Sequence, residues 1–430
     1  MADRRKNGRI DLEAVEMLVR QSMHRAGAAA LSHLLNQGPP ASPAIPCSCG
    51  HAALYKELRS KPVLTVVGPV EYQRPYYVCS QCHHAPNPTD AALGVERQEF
   101  SPGVRRMMAV VGSDSAFEAG REQLELLAGL MVSTKSVERQ AEQIGAAIMQ
   151  LEQAEIQRGL QLDLPIPLGP PIPVIYVEID GTGVPVVRRE TQGRIGKVEG
   201  QPAHTREVKL GCVFTSVGVD QENRPIRDAA STTYTGAIEA AEEFARRIYR
   251  EAYKRGWSRA VIKVVLGDGA IWIWNLATEQ FPGAILIVDF YHASEHLHKL
   301  ARILFPSDEA ARRAWTTSAV DLLDQGEIGS LVAVLRSLVS ERPELAEKLN
   351  TEAEYFERNA AKMRYPDFRA KGLFVGSGVI EAGCKTVIGS RLKQSGMFWT
   401  VQGANRIIAL RCCRVSGKFE DFWEQAHAAA

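Results

Sequence analysis

The sequence predicts a multidomain protein built on an α/β core that carries an all-α insertion, preceded by a helical region and a small cysteine-bearing β module. Three observations lead there. Two β-branched runs each end in an acid followed by glycine, Val-Glu-Ile-Asp180-Gly-Thr-Gly and Val-Val-Leu-Gly-Asp268-Gly-Ala. Four cysteines, Cys47, Cys49, Cys79 and Cys82, form a C-x-C and a C-x-x-C separated by two β-rich runs. A long helix-periodic stretch with hardly any β-rich run then separates the second acid from a third, in Gly-Ser-Gly-Val-Ile-Glu381-Ala-Gly.

Residues 1–40 read as an N-terminal helical segment. Its amphipathic helix runs from about Asp11 to Asn36 and ends at Gly38-Pro39-Pro40. Residues 41–95 form the cysteine module. Each Cys pair occupies a tight turn (Cys-Ser-Cys-Gly, then Cys-Ser-Gln-Cys-His), and Gly68-Pro69 breaks the two β-rich runs between them, which is the grammar of a zinc ribbon. Four thiolates close a tetrahedron around Zn²⁺ with no open position, so the predicted site is structural. His51, His83 and His84 are alternative ligands, more economically explained as surface neighbours. Residues 96–163 are helical, and the pair around the Val-Ser-Thr turn at 132–134, with a second helix from about Ser136, has the form of a helix-turn-helix over 117–148. Only Lys135 and Arg139 are basic near the start of that second helix.

The proline-rich stretch Leu164 to Pro173 marks a boundary. Beyond it, 174–292 reads as strand (Val174–Ile179, into Asp180), strand (Val208–Val217), a short polar strand (Ile226–Thr233) and a helix (Gly236–Arg255). A strand (Ala260–Leu266, into Asp268), a Trp-rich helix and a strand (Ala284–Val288) follow. Three strands, a helix, then strand-helix-strand is the succession of an RNase H-like core, in which the first and fourth strands lie side by side and bring Asp180 and Asp268 together. Residues 293–368 form the all-α insertion, and 369–430 the C-terminal helices, with Glu381 on an opening turn.

The bulk composition excludes several classes. The chain has 430 residues, 45% of them hydrophobic, and no apolar run of membrane-spanning length or signal-peptide core after Met1-Ala-Asp-Arg-Arg-Lys6. The expectation is a cytoplasmic, nucleoid-associated protein without membrane contact. A net charge of +1 conceals a basic island. From Arg358 to Arg414 there are eleven Lys or Arg against two acids, Asp367 and Glu381, and double-stranded DNA is the natural counterion. Three hard carboxylates flanked by glycines point to magnesium and phosphate chemistry rather than zinc hydrolysis.

Six strings occur in order: Glu-Ile-Asp180-Gly-Thr-Gly-Val-Pro, Arg206-Glu-Val-Lys-Leu-Gly-Cys-Val-Phe, Leu-Gly-Asp268-Gly-Ala, Val-Asp289-Phe-Tyr-His292-Ala-Ser-Glu-His296-Leu, Val-Gly-Ser-Gly-Val-Ile-Glu381-Ala-Gly-Cys-Lys385 and Arg391-Leu-Lys-Gln-Ser-Gly-Met-Phe-Trp399. Together, over roughly Pro173 to Trp423, they resemble a bacterial insertion-sequence transposase of the ISKra type, in the DDE group. The resemblance implies that Asp180, Asp268 and Glu381 are the catalytic acids and hold two Mg²⁺ ions roughly 4 Å apart, with Mn²⁺ as a substitute and Asp180 as the bridge. It implies cleavage at the ends of the mobile element, then strand transfer of the freed 3′-hydroxyl into target DNA during transposition, a recombination carried out by a homodimer or higher assembly. Lys385, Arg391 and Lys393 are the expected DNA contacts. Asp289 and His292, spaced D-x-x-H, resemble a signature of related transposases and are accessory candidates; a helix cap and a packed histidine would read the same. Met397-Phe398-Trp399 reads as core rather than a base-stacking platform. The rival readings are an RNase H-superfamily nuclease or resolvase without strand transfer, and a DNA-binding transposase descendant.

Overall fold

The computed structural model describes residues 5–6, 9–38, 40–196 and 202–428. Met1 to Arg4 of the charged N-terminal stretch and Pro39 of the helix-ending turn lie outside the described residues. The chain divides into two compact units, Met1–Ile144 with Phe419–Ala430, and Gly145–Lys418.

In the first unit, helix α1 (Leu12–Leu35) is capped by Asp11, whose side chain accepts from the Ala14 amide at 3.2 Å. Strand β1 (Ala44–Pro46) pairs with a long antiparallel hairpin, β2 (Ala52–Thr65) and β3 (Gly68–Cys79). The hairpin turns over two residues into Gly68, whose φ of +112° is a conformation that a side chain disfavours. Buried Asp90 ties both strands. It accepts from Tyr72 Oη at 2.7 Å and Lys61 Nζ at 2.8 Å, and pairs with Arg74. Helix α2 (Pro102–Asp114) follows a Ser101 cap, and α3 (Phe117–Gln123) widens into a π turn at Leu124–Ala128 before left-handed Gly129. Helix α4 (Thr134–Leu160), whose residues from Gly145 onward belong to the second unit, begins two residues earlier than the expected Ser136, because the Ser133 hydroxyl accepts the Ser136 amide at 3.1 Å. Val104, Met108, Leu124, Leu130 and Val137 form the local core.

The second unit is organised by a mixed sheet of β4 (Ile172–Pro185), β5 (Thr205–Val219), β6 (Pro225–Arg227), β7 (Thr233–Ala237), β8 (Ala260–Gly267) and β9 (Ile285–Val288). Its order is β9-β8-β4-β5-β6, with β7 also on β5. The pairs β9–β8 and β8–β4 are parallel; those of β5 with β4, β6 and β7 are antiparallel. The first strand therefore adjoins the strand that leads into Asp268. The single polar strand expected over Ile226–Thr233 is two strands, because Asp228 accepts the Ala230 amide and folds Ala229–Ser231 into a 3-10 turn. Helix α5 (Ala241–Lys254) packs on β5, where a Cβ on Gly211 would meet the Ile248 side chain at 2.5 Å. Helix α6 (Ile271–Gln280) links β8 to β9. Four helices follow: α7 (Phe290–Leu304), α8 (Glu309–Asp324), α9 (Ile328–Glu341) and α10 (Ala346–Asn359). The chain then returns through α11 (Gly378–Gly383), a π turn at Cys384–Gly389 and α12 (Val401–Val415). Tyr176, Phe214 and Phe374 form an aromatic core, the first two stacked at 4.9 Å.

Candidate active site

Strand register assembles the site. Ile179, Gly267 and Val288 are register partners on the adjoining parallel strands β4, β8 and β9, and the residue after each is an aspartate: Asp180, Asp268 and Asp289. Neighbouring strands lie about 4.8 Å apart, so this register sets the three acids in a row across the sheet. Each is also fixed locally. Asp180 Oδ1 accepts from the Gly181 amide at 2.6 Å, and Asp268 Oδ1 from the Ala270 amide at 2.9 Å. Asp289 caps α7 by accepting the Tyr291 and His292 amides at 2.7 and 3.4 Å.

Glu381 arrives on α11, whose first turn is held by two buried acids. Glu178 Oε2, fully buried on β4, accepts the Ile380 amide at 2.9 Å, and the Ser377 hydroxyl donates to Asp289 Oδ2. Glu381 Oε1 lies 3.4 Å from that hydroxyl. One turn on, the Cys384 thiol donates to Asp180 Oδ2 at 3.3 Å. Helix α10 braces the loop after β8: the Tyr355 hydroxyl donates to the Asp268 carbonyl at 3.0 Å, and a Cβ on Gly269 would fall 2.7 Å from the Tyr355 ring. His296 stacks on that ring at 4.3 Å and meets Glu352 at 2.7 Å, so it is a packed residue.

Electrostatics mark Asp180 as a place that resists negative charge. Burial pushes the Asp180 carboxyl above its ordinary range, against the Cys384 and Gly181 hydrogen bonds, and Asp268 pushes it further. Burial likewise raises Glu178 to about 8, with the charges of Asp289 and Glu381 adding to the effect. Asp180, Asp268 and Glu381 are the hard-oxygen donors that fit a divalent cation of the magnesium class.

The four cysteines make a second centre, in the first unit. Among the described residues they are the one group of three or more Cys, His, Asp or Glu whose ligating atoms all lie within 4.8 Å of one another. The three carboxylates do not close to that spacing. The Cys47–Cys82 and Cys49–Cys79 sulfurs are each 3.5 Å apart, close to the ~3.8 Å edge of a zinc–thiolate tetrahedron with Zn–S near 2.3 Å. Two matching turns make this spacing, with Cys47 N donating to His51 O at 2.8 Å and Cys79 N to His84 O at 2.9 Å. The Cys49 backbone amide and the His84 side chain hold the Cys47 thiol down at about 6, so it supplies thiolate at neutral pH. The four residues fit a structural metal such as zinc, with His84 and His51 adjoining the sulfurs at 4.0 and 3.6 Å.

The uncharacterised protein family UPF0236 has a model that matches residues 51–424. The chain belongs to that family. A curated UPF0236 relative, described as the UPF0236 protein in the vanSb 3′ region of Streptococcus gallolyticus, is 22% identical over 371 residues, covering 86% of this chain and 76% of the relative. Among solved structures, the Drosophila P element transposase strand transfer complex is similar over 79% of this chain and 84% of that one, at 10% identity and a TM-score of 0.26.

Within this UPF0236 chain the expected DNA contacts separate. Lys385 and Lys393 are exposed, and Lys393 Nζ donates to Thr182 Oγ1, two residues past Asp180. Arg391 corrects the expectation. It is 0% exposed, with its guanidinium 5.0 Å from the Trp399 ring centre and 3.6 Å from Met397 Sδ, so it holds the core and cannot face DNA. Arg411 is buried too, donating to the Val387 carbonyl at 2.6 Å, and Arg369 pairs with Asp324 at 2.7 Å. The basic island is therefore partly internal. Trp399 is core as expected, whereas Phe398 is exposed. Ser377, Glu178, Cys384 and Tyr355 escaped the sequence reading. A glutamate inside a β-branched strand was the one signal available for them. No helix among the described residues is long and apolar enough to cross a membrane.

Proposed function

We propose that this chain is a DDE-type transposase with an RNase H-like core, which cleaves insertion-sequence ends and transfers the freed 3′-hydroxyl to target DNA. The observation that carries the reading is the in-register placing of Asp180, within β4, and Asp268, just past β8, one residue beyond the last parallel pair Ile179–Gly267, with the Glu381 helix pinned beside them by Glu178 and Ser377. The strand order, with an antiparallel β4–β5–β6 half and a parallel β4–β8–β9 half, supports the same core.

Asp180, Asp268 and Glu381 would hold Mg²⁺, or Mn²⁺ in its place, which when bound supplies an activated oxygen nucleophile and charge neutralisation at the departing 3′-oxygen. The protein's own part is positional. Tyr355 fixes the Asp268 loop, Asp289 fixes Ser377, and these keep two carboxylates adjacent despite the repulsion felt at Asp180. Lys385 and Lys393 are exposed cations for the phosphates flanking the cut. Cleavage and joining are both in-line attacks at phosphorus, so one site serves for both. The cysteine module with zinc is structural, the helices around 117–148 are the candidate for binding the element ends, and joining two ends needs at least two protomers.

Labelled DNA carrying the sequences that flank the gene, incubated with Mg²⁺, tests the reading. The native protein is expected to give cleaved and joined products, while Asp180→Ala, Asp268→Ala and Glu381→Ala bind the DNA and give neither. A variant that keeps full activity removes that residue from the site, with Asp289 the first replacement to examine. Cleavage without any joined product would make the protein a nuclease.

A further inference from the structure

A cavity of about 830 Å³ opens beside Glu381, between the β5–β6 loop, the start of α7 and the stretch 369–379 that leads into α11. Its size lies within the range of roughly 300–1,000 Å³ typical of pockets that enclose small molecules. Glu381 belongs both to its wall and to the candidate active site, so an occupant would adjoin whatever is held at the carboxylates.

Its chemistry selects the occupant. Leu373, Phe374, Val379 and Tyr291 make the walls largely apolar. The two lining cations are already paired, Arg224 with Asp220 at 2.8 Å and Glu222 at 2.6 Å, and Arg369 with Asp324 at 2.7 Å. Such a cavity offers little to a phosphate and suits a neutral aromatic group. Tyr291 supplies a ring face. It is 68% exposed, two residues after Asp289, and its amide is fixed by the Asp289 carboxylate. Its ring lies against Gly376, where a Cβ would come within 2.7 Å, so a larger residue there would displace it. An exposed large aromatic ring at the mouth of an apolar cavity is costly to leave bare and is well matched to a stacked base.

We propose that this cavity receives one unpaired DNA base, stacked on Tyr291, from the strand whose phosphate lies at Asp180, Asp268 and Glu381. The proposal rests on the transposase reading for its strand and adds a nucleotide subsite to it. A paired base cannot present its face, so the occupant must be unstacked from the duplex, at least cost where the strand is already single.

The test uses the full chain and a short single-stranded oligonucleotide bearing one 2-aminopurine, without divalent metal, followed by fluorescence. Native protein is expected to quench the probe on binding. Tyr291→Ala should lose the quenching and bind about tenfold more weakly, Tyr291→Phe should keep both, and Val379→Trp, which fills the cavity, should lose the quenching. A fully paired duplex carrying the same base should show no added quenching. Equal quenching by native protein and Tyr291→Ala overturns the proposal, as does unimpaired quenching in Val379→Trp when circular dichroism shows all variants folded. Asp180→Asn separates the two ideas, because it should quench like native protein while failing to cleave. Tyr291-dependent quenching without DNA cleavage by the native protein with Mg²⁺ would keep the subsite and remove the transposase reading. Cleavage with Tyr291-independent quenching would do the reverse.

Discussion

The cysteine cluster and the carboxylate row solve opposite problems. Four sulfurs converge within 4.8 Å on two knuckles whose backbone amides favour thiolate, two of them buried against Ala53 and Tyr77. The acids are placed by strand register but stay further apart, each held by its own hydrogen bonds to Gly181, Ala270, Ser377 or a helix amide. A thiol that keeps its proton carries no charge, so sulfurs can be packed in contact when only some of them are thiolates. Carboxylates repel at any pH where they are useful, so a fold can hold them near one another only by tying each to a donor. The first centre gathers four donors that could bind a structural metal such as zinc, and the second keeps each acid on its own donor.

The sharpest way to break the contrast is to neutralise one acid. Asp180→Asn should lower Mg²⁺-dependent cleavage by about a hundredfold or more without lowering the melting temperature, since the change removes a charge that burial already disfavours. A melting loss of several degrees would mean that the row is a structural ion site. Cys79→Ser should do the opposite. Metal analysis is expected to fall from about one zinc per chain to near none, with loss of hairpin order by circular dichroism, because such sites contribute about 10–16 kcal/mol of binding energy to folding.

A finer test concerns the acids behind the row. Glu178→Ala leaves the buried Ile380 amide without its acceptor and should destabilise the protein by about 1–3 kcal/mol and reduce cleavage, whereas Glu178→Gln keeps an acceptor and should retain most of both. Equal loss in the two variants would assign Glu178 a charge-dependent role instead.

Glu251 offers the opposite case, a fully buried glutamate with partners. Burial alone would raise its carboxyl, but Lys418 and Arg250 outweigh it and hold the group at about 2. A depressed carboxyl contributes stability that is fully present above its unfolded value, near 4.3, and is lost as pH falls towards 2. Native protein should therefore lose stability over that window, and Lys418→Met should move the acid midpoint upward in a pH titration of the melting temperature. The smallest effect is expected at the surface. Lys393→Met should weaken DNA binding a few-fold and reduce the salt slope by about one, while Arg391→Met should show its cost in the melting temperature and not in that slope.

What the sequence made legible follows from locality. Cys47, Cys49, Cys79 and Cys82 declare themselves by spacing, and Asp180 and Asp268 by following β-branched runs, because each signal lies within a few residues. Glu178 was hidden because its partner, Ile380, is 202 positions away in the sequence. Cys384 was hidden because α11 widens into a π turn there, a change of pitch that periodicity does not announce. Arg391 misled because counting charge assumes that guanidinium groups face water, whereas a planar cation can stack on Trp399 inside the core. Asp289 read equally well as a helix cap and as an accessory acid; the cap is present, and its second oxygen reaches Ser377.

The hydroxyl of Tyr355 rests on the carbonyl of Asp268, although 87 positions separate them along the chain. Trimming the protein to its sheet by cutting out the intervening helices would strip that support, uncover Gly269 and leave the turn after β8 free to sample shapes that the intact molecule forbids. A shortened protein made that way would keep every acid of the row and still lose the placement of one of them.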